Sequence, residues 1–358
     1  QPTPRRPLRP GVGSLHWPAA DARQGQMAKP SDKINDPRTG PLLAKLIQTC
    51  LNLADDGIAV ADLKLIESAM DEIRRGLACF RPYASVRKVT TFGSARTRPD
   101  TPTYDLARDF SRRIADAGFM VITGAGPGIM EACQQGAGRK RSFGVNIKLP
   151  FENAANPVIR GDRKLVDFKY FFTRKLFFLK ESSAVVLLPG GFGTHDEGFE
   201  TLTLVQTGKA QLMPIILLDI PGGDYWQGWD DYVRRHLLGR GLINPADLNL
   251  YSITDNVDTA VQHITDFYRC YHSSRVVRRR LVLRTTQKLG ETALASLAEE
   301  FSDILGGQSI RQRGVFKEEF DEPALDGLTR LVTHFDMESY GRLRTLIDRL
   351  NQLAPAAG

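Results

Sequence analysis

Between about Ser85 and Cys270, short runs dense in Val, Ile and Leu alternate with stretches of helical periodicity, and three of the runs end in glycine-bearing turns. Together these observations predict a doubly wound, Rossmann-like α/β fold. Strands that are apolar along their whole length belong in a parallel sheet covered on both faces, and the helices between them supply the crossovers. The expected organisation is a disordered tail over 1–40, a helical N-terminal extension over 41–84, the α/β domain over 85–270 and a small α+β appendage over 271–358.

The tail is too polar and too rich in Pro, Arg and Gly to bury a core. In the extension, Leu63, Ile66, Met70, Ile73 and Leu77 recur at three- and four-residue steps, which predicts a helix that buries this stripe. Val86 to Phe92 then reads as a strand ending at Gly93-Ser94. Leu106, Phe110 and Ile114 mark a helix that stops at Gly118, a favourable C-cap residue. Phe119 to Thr123 is a second strand, broken at Gly124-Ala125-Gly126-Pro127-Gly128, and Phe143 to Lys148 a third. Ala184 to Leu188 is a compact buried strand followed by Pro189-Gly190-Gly191-Phe192-Gly193-Thr194, and Pro214 to Asp219 supplies another. Beyond Cys270, Arg275 to Thr285 reads as a strand or hairpin. Leu294, Leu297, Phe301 and Leu305 line one helix face, Leu328 to Phe335 forms a strand, and Leu343, Leu346, Ile347 and Leu350 mark a last helix.

Hydrophobic residues make up 42% of the 358 and charged residues 25%, which fits a globular domain and excludes collagen-like or wholly disordered chains. No window holds the roughly 18 uninterrupted apolar residues of a membrane-spanning helix, and no secretory signal is visible, so a cytoplasmic protein is expected. The chain opens on Gln1, with Met27 as an alternative start. Cys50, Cys79, Cys133 and Cys270 lie far apart with no CxxC pair, so neither a disulfide framework nor a metal site is expected. The net charge of +7 is carried largely outside the α/β domain, by Arg5, Arg6 and Arg9 and by the crowd from Arg275 to Arg284. A run of this kind is ordinarily a solvated face, so nucleic acid is not the expected partner.

In an open parallel sheet, ligands bind beyond the carboxyl ends of the strands. The three turns at Gly93-Ser94, Gly124 to Gly128 and Gly190 to Gly193 fall there. Glycine lets a ligand approach the backbone closely, and a helix N-terminus presents unpaired amides to an anion such as phosphate. The third turn fits best, because the Thr194 hydroxyl adds a donor. None of the turns has the GxxxxGK[ST] pattern of a P-loop or the GxGxxG spacing of a dinucleotide site.

The segment from Pro189 to Glu197 fills the pattern PGGxGTxxE, Thr173-Arg174-Lys175 supplies an Arg-Lys pair, Gly124 to Ala132 reads GAGPGIMEA, and Gly93-Ser94 forms a first glycine-serine turn. Over roughly residues 85–270 the chain resembles the LOG ("Lonely guy") family of nucleoside 5'-monophosphate phosphoribohydrolases, formerly labelled lysine decarboxylases. The resemblance implies hydrolysis of the N-glycosidic bond of a nucleotide, AMP-like or a cytokinin riboside monophosphate, to free base and ribose 5-phosphate. By the same resemblance, Arg174 and Glu197 are the catalytic pair. Gly190, Gly191, Gly193 and Thr194 hold the phosphate, Met130 and Glu131 lie near base or ribose, and Gly93, Ser94, Gly126 and Lys175 complete the substrate site. No cofactor is implied, and nothing singles out a Schiff-base lysine for pyridoxal phosphate chemistry. A homodimer or larger assembly is implied as well.

The chemistry suits those residue types. Cleavage at C1' builds positive charge on the ribose, which a carboxylate can stabilise, while a permanent guanidinium can hold phosphate or assist the leaving base. Ala125 departs from the family's triple glycine, and its methyl is expected to narrow the approach to that turn. The pattern leaves position 195 free, and Asp196 and Glu200 read as solvated helix residues. The alternative on the same fold is a non-catalytic carrier of nucleotide or molybdenum cofactor. Extensions longer than those of compact cytokinin-activating members also make general nucleotide salvage a contender.

Overall fold

The computed structural model of the chain describes residues 36–37, 39–148, 155–319 and 322–355, so the expected tail falls almost wholly outside the described residues. Two compact units are present, 1–63 and 64–358. The described part of the first holds helix α1, Gly40–Asp55, whose Leu42, Leu46, Ile47 and Leu51 are exposed. Helix α2, Val60–Phe80, carries the chain into the second unit.

Alternation of strand and helix then builds one parallel sheet. Its strands are β1 (Lys88–Phe92), β2 (Met120–Thr123), β3 (Ser142–Ile147), β4 (Leu165–Phe168), β5 (Ala184–Leu187), β6 (Ile215–Leu218) and β7 (Ser252–Thr254). They pair in the order β4-β3-β2-β1-β5-β6-β7, and every pairing is parallel. The doubly wound Rossmann-like fold is thus as the sequence predicts. Side-chain alternation along each strand divides the core between two faces. Val121, Ala184, Val186, Ile216 and Leu218 pack with Phe110 and Ile114 of helix α3 (Pro102–Asp116), with Ala132 of α4 (Ile129–Ala137) and with Ile264 of α8 (Val257–Phe267). Their alternates Met120, Ile122, Val185, Leu187, Ile215 and Leu217 face the other way. There they join Phe177 and Phe178 of α5 (Phe171–Lys180), Val205 of α6 (Phe192–Gln206) and Trp226 of α7 (Tyr225–Tyr232).

Helix α3 starts where Thr101 caps Tyr104 N–H and ends before Gly118, whose φ of 95° is of the kind glycine adopts readily. Sequence pattern does not announce the edge strands β4 and β7. They are short and only partly buried, so neither carries a continuous apolar run.

The stripe expected to bury α2 does so only in part, with Ile66 and Ile73 half-buried and Ile73 packed against the core. Leu63, Met70 and Leu77 are exposed, whereas the buried residues are Ala69, Glu72, Gly76 and Phe80. Close approach contributes to the difference: a Cβ on Gly76 would run into the Phe177 ring, on which Phe80 also stacks, so α2 seats on α5 through Gly76 and Phe80.

After α8 the chain forms an antiparallel sheet of β8 (Tyr271–Val277), β9 (Arg280–Thr285), β10 (Arg311–Arg313) and β11 (Thr329–Thr333), in the order β10-β11-β9-β8. The expected hairpin is β8–β9, turning through Arg278 and Arg279, both at positive φ as a tight two-residue hairpin requires. The single helix face expected over Leu294 to Leu305 is split between α9 (Glu291–Glu300) and α10 (Ser302–Leu305). Helix α11, Tyr340–Leu353, closes the unit. Asn351 anchors it, donating to Phe267 O and accepting from the amides of Cys270 and Tyr271. Leu281, Leu331, Leu346 and Leu350 share one apolar cluster with Phe143 and Leu187, so both sheets belong to one core.

Candidate functional site

The strand order reverses at β1: β2, β3 and β4 lie on one side of it and β5, β6 and β7 on the other. A crevice opens where the loops leaving β1 and β5 part, which is the position such sheets use for ligands. A cavity of about 770 Å³ lies there, and all three glycine turns contribute to its lining.

The turns are held by each other. Ser94 N–H donates to Pro189 O, and Ser94 O accepts from Ile129 at the start of α4. Gly128, at φ 66°, must lack a side chain because a Cβ would collide with Ser94 O. Gly191 caps α6, and its carbonyl accepts from Thr194 and His195. The amides of Phe192 and Gly193 find no carbonyl partner among the described residues, as in any first helical turn. The space beside Gly191 and Gly193 is open, and Thr194 packs over Gly190. These amides, the hydroxyl and the positive end of a helix of 15 residues make an anion-binding cradle.

Arg174 reaches the cavity from α5. Its Nε donates to Val145 O at 3.0 Å, its guanidinium lies over the Phe178 ring, and a Cβ on Gly124 would strike it. Glu72 sets the start of that helix. Only 3% exposed, its carboxylate accepts from Lys169 N–H and from Thr173 Oγ1, each at 2.6 Å. Glu197 enters from α6, is 8% exposed and lines the same cavity. Burial pushes its carboxyl up to about 7, against the pull of the Lys175 and Arg174 cations. A carboxyl that changes charge near neutral pH, beside a permanent cation and an anion cradle, can exchange a proton with bound substrate or water.

Of the residues expected from the sequence, Gly93, Ser94, Met130, Arg174, Gly190, Gly191, Gly193, Thr194 and Glu197 line the cavity. Gly126, Glu131 and Lys175 do not. Gly126 packs against Met130, and Glu131 accepts from Gln135 on its own helix. Lys175 bridges Asp196 and Glu200 at 2.8 Å each, tying α5 to α6. The two acids expected to be solvated are therefore partners of this lysine. The Ala125 methyl does not narrow the cavity: at φ 62° it turns away to pack with Ala155, Ile159 and Leu165. The residue's strain is held by Asn156, which donates to the carbonyls of Ala125 and Gly126.

Sequence reasoning misses Arg96, Phe171, Phe192, His195 and Asp196, which also line the cavity. It also misses Tyr225, whose hydroxyl donates to Gly190 O and lies 2.7 Å from His195 Nε2. Because the single phenolic proton goes to Gly190, His195 must donate from Nε2. Adjacency to the turns could have flagged Arg96 and His195, but no local signal marks Tyr225.

Among the described residues, no group of three or more His, Cys, Asp or Glu side chains could hold a metal ion, and no helix is long and apolar enough to cross a membrane. A family model described as possible lysine decarboxylase matches residues 130–264, a stretch that contains both Arg174 and Glu197. The cavity lining contains no lysine, so the residues present do not fit a pyridoxal phosphate Schiff base. No curated protein matches the chain. Among solved structures, the chain is similar to a molybdenum cofactor binding protein from Rippkaea orientalis, at 20% identity, covering 50% of this chain and 94% of that one with a TM-score of 0.35. It is likewise similar to the molybdenum cofactor carrier protein from Chlamydomonas reinhardtii, at 17% identity, 50% and 96% coverage and a TM-score of 0.36. A third likeness is to DNA processing protein A from Helicobacter pylori, at 15% identity, 50% and 80% coverage and a TM-score of 0.35.

Proposed function

We propose that the protein hydrolyses the N-glycosidic bond of nucleoside 5'-monophosphates, releasing the base and ribose 5-phosphate. The observation that carries this reading is the buried Glu197 carboxyl, held at about 7, in one cavity with Arg174 and the amide cradle. The substrate's phosphate occupies the cradle beside Thr194 and its ribose faces Glu197. As the bond between C1' and the base nitrogen lengthens, its electron pair goes to the base and positive charge grows on the ribose. The Glu197 carboxylate stabilises that charge and takes a proton from the attacking water, whose oxygen becomes the C1' hydroxyl. That proton then balances the departing base. Arg174 supplies fixed positive charge to the phosphate or to the leaving base.

Incubation with AMP and a panel of purine, pyrimidine and N6-substituted adenine monophosphates tests the reading, with free base and ribose 5-phosphate resolved chromatographically. Release from at least one is expected. Binding of the nucleotides with no base released from any would replace the enzyme by a carrier.

Tyr225 gives a finer test, because its hydroxyl orients the Gly190 carbonyl and so the amides of the cradle. Tyr225→Phe is expected to raise KM for a monophosphate about 5–10-fold, the worth of roughly one hydrogen bond, with kcat changed less than about twofold. Hydrolysis of the corresponding unphosphorylated nucleoside should not change. Equal losses on both substrates would remove the cradle from this assignment.

A further inference from the structure

One face of the second sheet carries arginines at both of its ends. Strand alternation and register put Arg280, Val282 and Arg284 of β9, Val332 and Arg330 of β11, and Arg311 of β10 on that face. At one end Arg284 stands directly opposite Arg330, and both are buried. Two like charges facing each other on a sheet are destabilising unless neutralised. Here Glu319 lies between them, pairing with Arg284 at 2.6 Å and Arg330 at 3.2 Å. Glu322 adds to Arg284 and also pairs with Arg275, while Glu318 takes Arg278.

At the other end Arg280 and Arg311 stand on strands separated by β11, and both are exposed. The start of β9, the start of β10 and the end of β11 meet there, and Arg280, Arg311 and His334 converge on a cavity of about 300 Å³. Ser309 and Gln308 add hydroxyl and amide groups, and no carboxylate among the described residues lines it. Neither Arg280 nor Arg311 has a carboxylate partner among the described residues, although four neighbouring arginines do.

We propose that this cavity binds a small phosphorylated anion of diphosphate size, which bridges Arg280 and Arg311 across β11. Planar guanidinium groups recognise phosphoryl oxygens in paired hydrogen bonds, and a neighbouring hydroxyl and amide complete the shell. A depression of about 300 Å³ suits a compact anion rather than a polymer lying along a charged stripe.

Calorimetric titration of the full chain with inorganic pyrophosphate, ADP and a single-stranded oligonucleotide tests this. Pyrophosphate is expected to bind one to one at this cavity with a sub-millimolar Kd, separately from any bound at the cradle of the first cavity. Tighter binding of ADP would mark a nucleotide's diphosphate as the source, and equal affinity the free anion. The paired substitution Arg280→Ser and Arg311→Ser should weaken binding at least about tenfold, a difference of about 1.4 kcal/mol, and abolish the rise in Tm that the anion causes. Arg279→Ser should leave both unchanged, and Arg174→Ala, which weakens only anion held in the first cavity, should leave the binding that the paired substitution removes. Loss of that binding in Arg174→Ala would move the anion to the first cavity and overturn the proposal, whatever the fate of the hydrolase reading. Loss in Arg279→Ser equal to that of the pair would reduce the effect to general surface charge. An oligonucleotide that binds more tightly than pyrophosphate, with a steep fall in added salt, would make this a nucleic-acid surface instead.

Discussion

Glu197→Gln is expected to lower turnover of nucleoside monophosphates by about a hundredfold to ten-thousandfold while leaving nucleotide affinity within a few-fold, because the amide keeps the shape but cannot carry the negative charge or accept the proton. The wild-type protein should show an acid limb in kcat/KM with a midpoint near 7, since the proposed reaction needs the carboxylate and burial keeps the carboxyl protonated up to about 7. Stability should move in the opposite sense. The group is raised from 4.5 to about 7, so its contribution to folding is fully present below about 4.5 and is lost as pH rises through about 7. Activity gained and stability lost over one pH window, both abolished by Glu197→Gln, would identify one titrating group. A Gln variant with undiminished turnover would dismiss Glu197 from the chemistry.

Glu72→Ala is expected to destabilise the second unit by about 2–4 kcal/mol and to lower kcat/KM at least about tenfold. The substitution removes the acceptor of the part-buried Lys169 N–H and leaves the buried Thr173 hydroxyl only Tyr170 O. Because both belong to the start of α5, their loss loosens the helix that presents Arg174. Denaturant unfolding of Glu72→Ala, Thr173→Ala and the double variant gives the coupling directly, with about 1–2 kcal/mol expected between contacting partners. Glu72→Gln, which keeps one acceptor, should recover part of both the stability and kcat/KM. Unfolding of Glu72→Ala within about 0.5 kcal/mol of wild type would end this account.

Much of the architecture is legible in the order of residues alone. Each central strand is a short run buried on both faces, so composition betrays it, and the glycine turns announce themselves by composition, with Gly128 required because a Cβ there would strike Ser94 O. Arg174 and Glu197 are marked by motif and do line one cavity. Readings fail where partners are distant in sequence. The stripe on α2 is buried only in part because helical periodicity reports hydrophobicity and not how closely a neighbour can approach, and α5 approaches at Gly76. Ala125 reads as an obstruction because sequence gives no direction for its methyl, which its positive φ turns away from the cavity.

Sequence by itself determined the parallel sheet, its three turns and the candidate acid and guanidinium, since each is written in residues adjacent along the chain. Only tertiary structure decided that Glu197 is buried enough to titrate near neutrality, that Tyr225 holds Gly190 and that Glu72 holds the start of α5. Glu72 and Thr173 are separated by 101 positions, and Gly190 and Tyr225 by 35. Desolvation and hydrogen bonding act through space over a few ångströms, so their strength is set by which segments the fold brings together, a quantity no local pattern encodes.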